Sequence, residues 1–148
     1  VDEAGRAALW RYRELHNETI RSLGVPLKVD VSVPIDAIPG FEARLHALVE
    51  DHAPGSELIL YGHLGDGNVH VNLLDVPAEH RQTLADGVLE IVVALDGSIS
   101  AEHGVGRAKA ASIGLGRDAV DIAAMWAIKG ALDPGRVLNP GVIFPESG

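Results

Sequence analysis

Tyr61-Gly62-His63-Leu64-Gly65-Asp66-Gly67-Asn68-Val69-His70-Val71-Asn72 reads as a strand, a tight turn and a returning strand. Asp66-Gly67 favours a two-residue turn, because both central positions of a type I′ turn need positive φ. That turn, or a four-residue connection over 65–68, sets Gly65 opposite Asn68, Leu64 opposite Val69, His63 opposite His70 and Tyr61 opposite Asn72. The period-two rule then separates two faces. Leu58, Leu60 and Leu64 join Val69, Val71 and Leu73 as the core side, while Tyr61, His63, His70 and Asn72 share the other. Imidazoles directly opposite one another have Cβ atoms about 4.5–5.5 Å apart, within reach of one metal ion. A surface hairpin with two half-exposed histidines is the plainer reading of such a pair. Polar residues gathered on one face beside glycines favour a site.

Upstream, Ala4 to Leu23 has the spacing of a helix, with Leu9, Tyr12, His16, Ile20 and Leu23 as its apolar stripe. Trp10, Arg13 and Asn17 follow the same spacing on a neighbouring stripe, so Arg13 and Asn17, at i and i+4, can act together. Gly24-Val25-Pro26 ends this helix. Lys28 to Val33 alternates as a strand, valines one way and Lys28, Asp30 and Ser32 the other. Pro34 stops it, and a second helix buries Ile38, Phe41, Leu45 and Leu48, leaving His46 and His52 at the surface.

Downstream, Pro77 to Leu95 reads as a third helix, with Leu84, Val88, Ile91 and Leu95 inward, His80 exposed in its first turn and Asp96-Gly97 closing it. Ser98 to Glu102 reads as a short strand leading into His103-Gly104-Val105-Gly106. Neighbouring strand residues face opposite ways, so Glu102 and His103 serve one site only if the chain bends, which the two glycines encourage. The glycines are not a phosphate loop, since no lysine-serine pair or third glycine follows. Asp118 to Leu132 reads as a fourth helix, packing through Val120, Ala123, Ala127 and Ala131. The apolar, turn-rich tail from Val137 to Phe144 is expected to dock. Helices mixed with hairpin-linked strands indicate an α+β domain, its sheet mainly antiparallel with helices packed on one face.

The 148 residues suit one domain with a single sizeable core, and the hydrophobic fraction of 47% is ordinary for a globular chain. A formal net charge of -9 argues against nucleic acid or an anionic membrane as partner. Without cysteine, a metal must be held by His, Asp or Glu. No apolar run approaches the roughly 18 residues of a membrane span and no secretion signal is evident, so a cytoplasmic location is expected. The opening on Val1 rather than Met suggests a piece of something longer.

Two histidines and a carboxylate hold a divalent ion while leaving coordination positions open. Arginine and lysine grip carboxylates, and a histidine off the metal is a general base near neutral pH. This set suits a substrate with a hydroxyl beside a carboxylate. Nothing among these residues accepts the hydride that oxidation releases, so that partner must come from elsewhere.

Leu9-Trp10-x-x-Arg13-Glu14, Lys28-x-Asp30-x-Ser32-x-Pro34, Gly62-His63-Leu64-Gly65-Asp66-Gly67-Asn68-x-His70-x-Asn72, Ser100-Ala101-Glu102-His103-Gly104-x-Gly106 and Leu132-Asp133-Pro134…Leu138-Asn139-Pro140 carry a resemblance. In this order they resemble the C-terminal substrate domain of FAD-linked oxidases, in particular D-2-hydroxyacid dehydrogenases acting on D-lactate, glycolate or D-2-hydroxyglutarate. The resemblance implies a ferredoxin-like fold, with His63, His70 and Glu102 as ligands of a divalent metal (zinc, manganese or iron). It also implies His103 as catalytic base, and Arg13, Asn17, Lys28 and Asn72 around the substrate. Asn17 stands where the D-2-hydroxyglutarate enzymes tend to carry threonine. FAD is implied as cofactor on an N-terminal domain that this chain lacks, so the chain alone is expected to be inactive. The implied partners are that flavin domain, a small 2-hydroxy acid and an external electron acceptor, and a homodimer is an allowed assembly. Two cations plus a metal exceed the needs of one carboxylate, which tilts the expectation toward a dicarboxylate such as D-2-hydroxyglutarate. The competing readings are a self-contained 2-His-1-carboxylate metal enzyme and a non-catalytic module that binds metal or carboxylate.

Overall fold

The structure, a computed structural model, describes residues 2–144. In chain order the elements are α1 (Glu3–Leu23), β1 (Leu27–Ser32), α2 (Ile38–His52), β2 (Glu57–His63), β3 (Asn68–Leu74), α3 (Arg81–Val93), α4 (Ile113–Gly116) and α5 (Ala119–Leu132). The three strands form an antiparallel sheet in the order β1-β3-β2, and the domain is α+β as expected. Ser98 adds a single bridge to Ser32 on the outer side of β1. The path is therefore the β-α-β-β-α-β order of a ferredoxin-like unit with its last strand reduced to one residue.

Alternation builds the core. Val29, Val31 and Val33 from the β1 segment and Val69 and Val71 from β3 point to one side, where α2 and α3 cover them with Phe41, Leu45, Val88, Leu89 and Val92. Phe41, Leu45 and Val71 are fully buried. Removing each from water contributes about 1.5–3 kcal/mol. A second cluster, Val49, Leu73, Val76 and Leu84, extends the same layer toward the far end of the sheet.

The hairpin differs in register from the expectation. His63 pairs with Asn68, Gly62 with Val69 and Tyr61 with His70, so His63 and His70 are diagonal neighbours rather than opposite. The connection is Leu64–Gly67, a 3-10 turn over Leu64–Asp66 closed by Gly67 at φ 70°, and not a type I′ turn at Asp66-Gly67. Tertiary contact with β1 selects this turn: Val33 N–H donates to the Gly67 carbonyl at 3.0 Å. A Cβ on Gly67 would lie 2.1 Å from the Val33 oxygen. The slip is two residues, so every side chain keeps its expected face. Leu64, however, is lifted off the core with the turn and is 61% exposed.

Three further expectations are corrected. Ser98–Glu102 is not a strand beyond the Ser98 bridge; Ser98 Oγ bonds the Ser100 carbonyl at 3.1 Å and the chain bends onward. In α1 only Ile20 is buried, and Leu9, Tyr12 and Leu23 are exposed. The fourth expected helix, α5, buries none of its residues, including Val120, Ala123, Ala127 and Ala131. α1 is amphipathic and α5 is apolar on nearly all sides, but among the described residues little packs against either. The tail docks in part: Phe144 is buried and stacks on Trp126 at 4.1 Å between centroids, while Val137 and Leu138 stay exposed. Asp133 holds the turn between α5 and the tail by accepting from the Val137 and Leu138 amides and pairing with Lys129.

Candidate active site

The sheet face turned away from α2 and α3 carries the candidate residues in three rows across the strands. Ser32, Asn68 and His63 form the first row, Asp30, His70 and Tyr61 the second, and Lys28, Asn72 and Ile59 the third. Central β3 places Asn68, His70 and Asn72 on one side by simple alternation, and the flanking strands supply a partner on each side.

Around the first row, His63, His70 and Glu102 converge. One candidate ligand atom from each lies within 4.8 Å of the others. His63 Nδ1 is 3.1 Å from Glu102 Oε1, which also accepts from Asn68 Nδ2 at 3.2 Å. The His63 hydrogen bond holds the Glu102 carboxyl below its usual range, with Asn68 adding to the effect. Two imidazoles and one carboxylate, partly exposed, form the donor set of an open divalent-metal site, so the residues fit the metal that the sequence suggested. The diagonal register suffices for this, since the His63 and His70 rings lie 6.4 Å apart edge to face.

Glu102 reaches the site because the chain bends through Ala101–His103 and continues through Gly104 and Gly106, both at positive φ. The bend also brings His103 to the same side, its Nε2 3.8 Å from Glu102 Oε2 and its side chain 73% exposed. The loop is fixed from behind by Lys109, whose Nζ donates to the carbonyls of both Asp30 and Ile99 at 2.5 Å. Burial pushes the Lys109 ammonium below its usual range, with Asp30 opposing the shift.

The third row meets α1. Asn17 Oδ1 accepts from Lys28 Nζ at 2.9 Å and from Tyr61 OH at 2.7 Å. Arg13, one turn earlier, lies over the Tyr61 ring at 5.3 Å, and His16 stacks on the same ring at 5.0 Å. Burial raises the Tyr61 phenol, against the opposing effect of Arg13. Asn72 is fully buried; its Nδ2 donates to the His70 carbonyl, while Oδ1 has no protein partner.

Every candidate residue read from the sequence thus lies on one face or at its rim. Sequence reasoning gave no role to Asn68 or Lys109. The period-two spacing of Asn68 from His70 was a usable signal. Lys109 had none, because its acceptors are backbone carbonyls.

The chain is similar in sequence to several curated proteins. A D-2-hydroxyglutarate dehydrogenase of Stutzerimonas stutzeri (strain A1501) is 40% identical over 143 residues, covering 92% of this chain and 31% of the relative. A mitochondrial D-2-hydroxyglutarate dehydrogenase of Arabidopsis thaliana is 37% identical over 146 residues, covering 95% of the chain and 25% of the relative. An uncharacterized FAD-linked oxidoreductase of Mycobacterium tuberculosis is 34% identical over 145 residues, covering 98% and 29%. The chain therefore spans about a third or less of the length of the curated relatives it matches. The family model for FAD linked oxidases, C-terminal domain, matches residues 1–143, and the chain belongs to that family.

Proposed function

We propose that this chain is the substrate-holding domain of a flavin-dependent D-2-hydroxyacid dehydrogenase, with a dicarboxylic 2-hydroxy acid as substrate. The observation that carries the reading is the convergence of His63, His70 and Glu102 beside a face that ends in Lys28 and Arg13. When bound, a divalent ion (zinc, manganese or iron) would supply Lewis acidity at the substrate oxygens, and FAD on the remainder of the enzyme would supply the hydride acceptor.

The residues of this chain divide the remaining work. His63, His70 and Glu102 hold the ion. His103, exposed beside Glu102, takes the substrate hydroxyl proton on a ring nitrogen. Asn72 lines the substrate face in the row of Lys28. Lys28 and Arg13 grip the distal carboxylate, with Asn17 and Tyr61 orienting the lysine. Fixed cations bind ground and transition states alike, so Arg13→Ala and Lys28→Ala should raise KM more than they lower kcat. A charge-assisted hydrogen bond worth about 1.5–3 kcal/mol corresponds to roughly 10- to 150-fold in KM.

The test is dye reduction by the full-length enzyme with D-2-hydroxyglutarate and D-lactate, before and after chelation. Activity lost on chelation and restored by zinc or manganese supports the reading. Activity indifferent to chelation overturns it, as does iron- and oxygen-dependent turnover by this chain alone. If neither cation substitution alters the preference between the two acids, the dicarboxylate assignment fails.

A further inference from the structure

His70 has a second partner that the metal reading does not use. Its Nδ1 lies 2.6 Å from Asp30 Oδ1, its directly paired neighbour on β1. The ring is enclosed on the other side by Tyr61, its paired neighbour on β2, at 4.9 Å between centroids. His70 is therefore gripped along one row of the sheet, its side chain only 15% exposed. The backbone at Asp30 is itself fixed, because its carbonyl accepts from the half-buried Lys109 ammonium.

We propose that Asp30 is a positioning residue: its carboxylate holds the proton of His70 on Nδ1, so that the Nε2 lone pair is the one offered to the metal site. The inference rests on the reading of His63, His70 and Glu102 as metal ligands. The physical reason is tautomer selection. A neutral imidazole carries one proton, and an ionised carboxylate can only accept, so the Nδ1–H form is the one that satisfies both groups. A carboxylate behind a metal-bound histidine also raises its basicity and fixes the ring plane, and loss of such a partner typically costs 10- to 100-fold in metal affinity. Asp30 thereby joins β1 to a site whose ligands come from β2, β3 and the 98–109 loop.

The experiment uses the full chain, labelled with ¹⁵N-histidine and free of metal, in mildly alkaline buffer. The expected spectrum of His70 has a protonated, pyrrole-type Nδ1 and an unprotonated, pyridine-type Nε2. Asp30→Asn, of nearly equal volume, offers an amide that can donate or accept, so the Nε2–H form should appear. Titration of Zn²⁺ by calorimetry should show affinity reduced about 10- to 100-fold in Asp30→Asn, with partial rescue by Asp30→Glu and an unchanged thermal transition. An Nε2–H tautomer in the wild-type chain overturns the proposal without recourse to any variant. Wild-type zinc affinity in a folded Asp30→Asn overturns it as well. Failure of the wild-type chain to bind any of zinc, manganese or iron(II) overturns instead the metal reading beneath it, even if the Nδ1–H tautomer is found.

Discussion

Replacing Glu102 with glutamine in the full-length enzyme is expected to lower kcat/KM by about 10²- to 10⁴-fold, with the fold intact. The carboxylate is the one anionic member of the three-residue cluster, and its Oε1 is shared by His63 and Asn68. An amide at this position keeps the size of the side chain but removes the charge that a divalent ion needs. It also sets a donor against Asn68 Nδ2 or His63. A metal acting as Lewis acid contributes several kcal/mol of transition-state stabilisation, and each 1.36 kcal/mol is tenfold in rate. Glu102 is partly exposed and lies outside regular structure, so little stability should be lost. Steady-state kinetics with a dye acceptor and zinc calorimetry provide the measurement. A kcat/KM within tenfold of wild type would remove Glu102 from the ligand set.

The second large effect concerns the fold. Gly62→Ala is expected to destabilise the chain by more than about 3 kcal/mol, a large part of the roughly 5–15 kcal/mol that holds a typical domain together. A Cβ at Gly62 would stand 2.0 Å from the Asn68 carbonyl oxygen, 2.9 Å from its carbon and 3.1 Å from the Val69 Cα. All three are backbone atoms of β3, so no side-chain rotation relieves the clash and the two strands must separate. Overpacking of this kind typically costs 1–3 kcal/mol even where side chains can yield. The control is Gly65→Ala, three residues on, where nothing lies within 4 Å of the added atom; it should melt within a few degrees of wild type. If Gly62→Ala melts alongside that control, the β2–β3 pairing described above is wrong.

The two substitutions mark what could and could not be read from the chain. The faces of the hairpin were legible because alternation survives any even slip, so His63, His70 and Asn72 were correctly grouped. The register was not. Asp66-Gly67 is a strong local turn signal, but the contact between Gly67 and Val33 overrode it. The joint use of Glu102 and His103 was conditional on a bend, and the glycines that supply it are plain in the sequence. Helix spacing located α1 and α5 but could not say what covers them, because amphipathicity reports a face and not its neighbour. Asp30 was visible only as a polar strand residue. Its role depends on which β3 residue lies opposite, a long-range fact that one strand cannot encode.

The rows across the sheet have a geometric consequence for substrate size. They act as a ruler whose graduations are two residues apart along β1, about 6.8 Å. A cation moved by a single residue from Lys28 would enter the valine layer instead of the site. Moved one graduation inward it would displace Asp30, the partner of His70. Moved one outward it reaches Pro26, beyond the end of the strand. On the reading that Lys28 meets the distal carboxylate, acid length on this scaffold is quantised, and β1 offers a single usable mark.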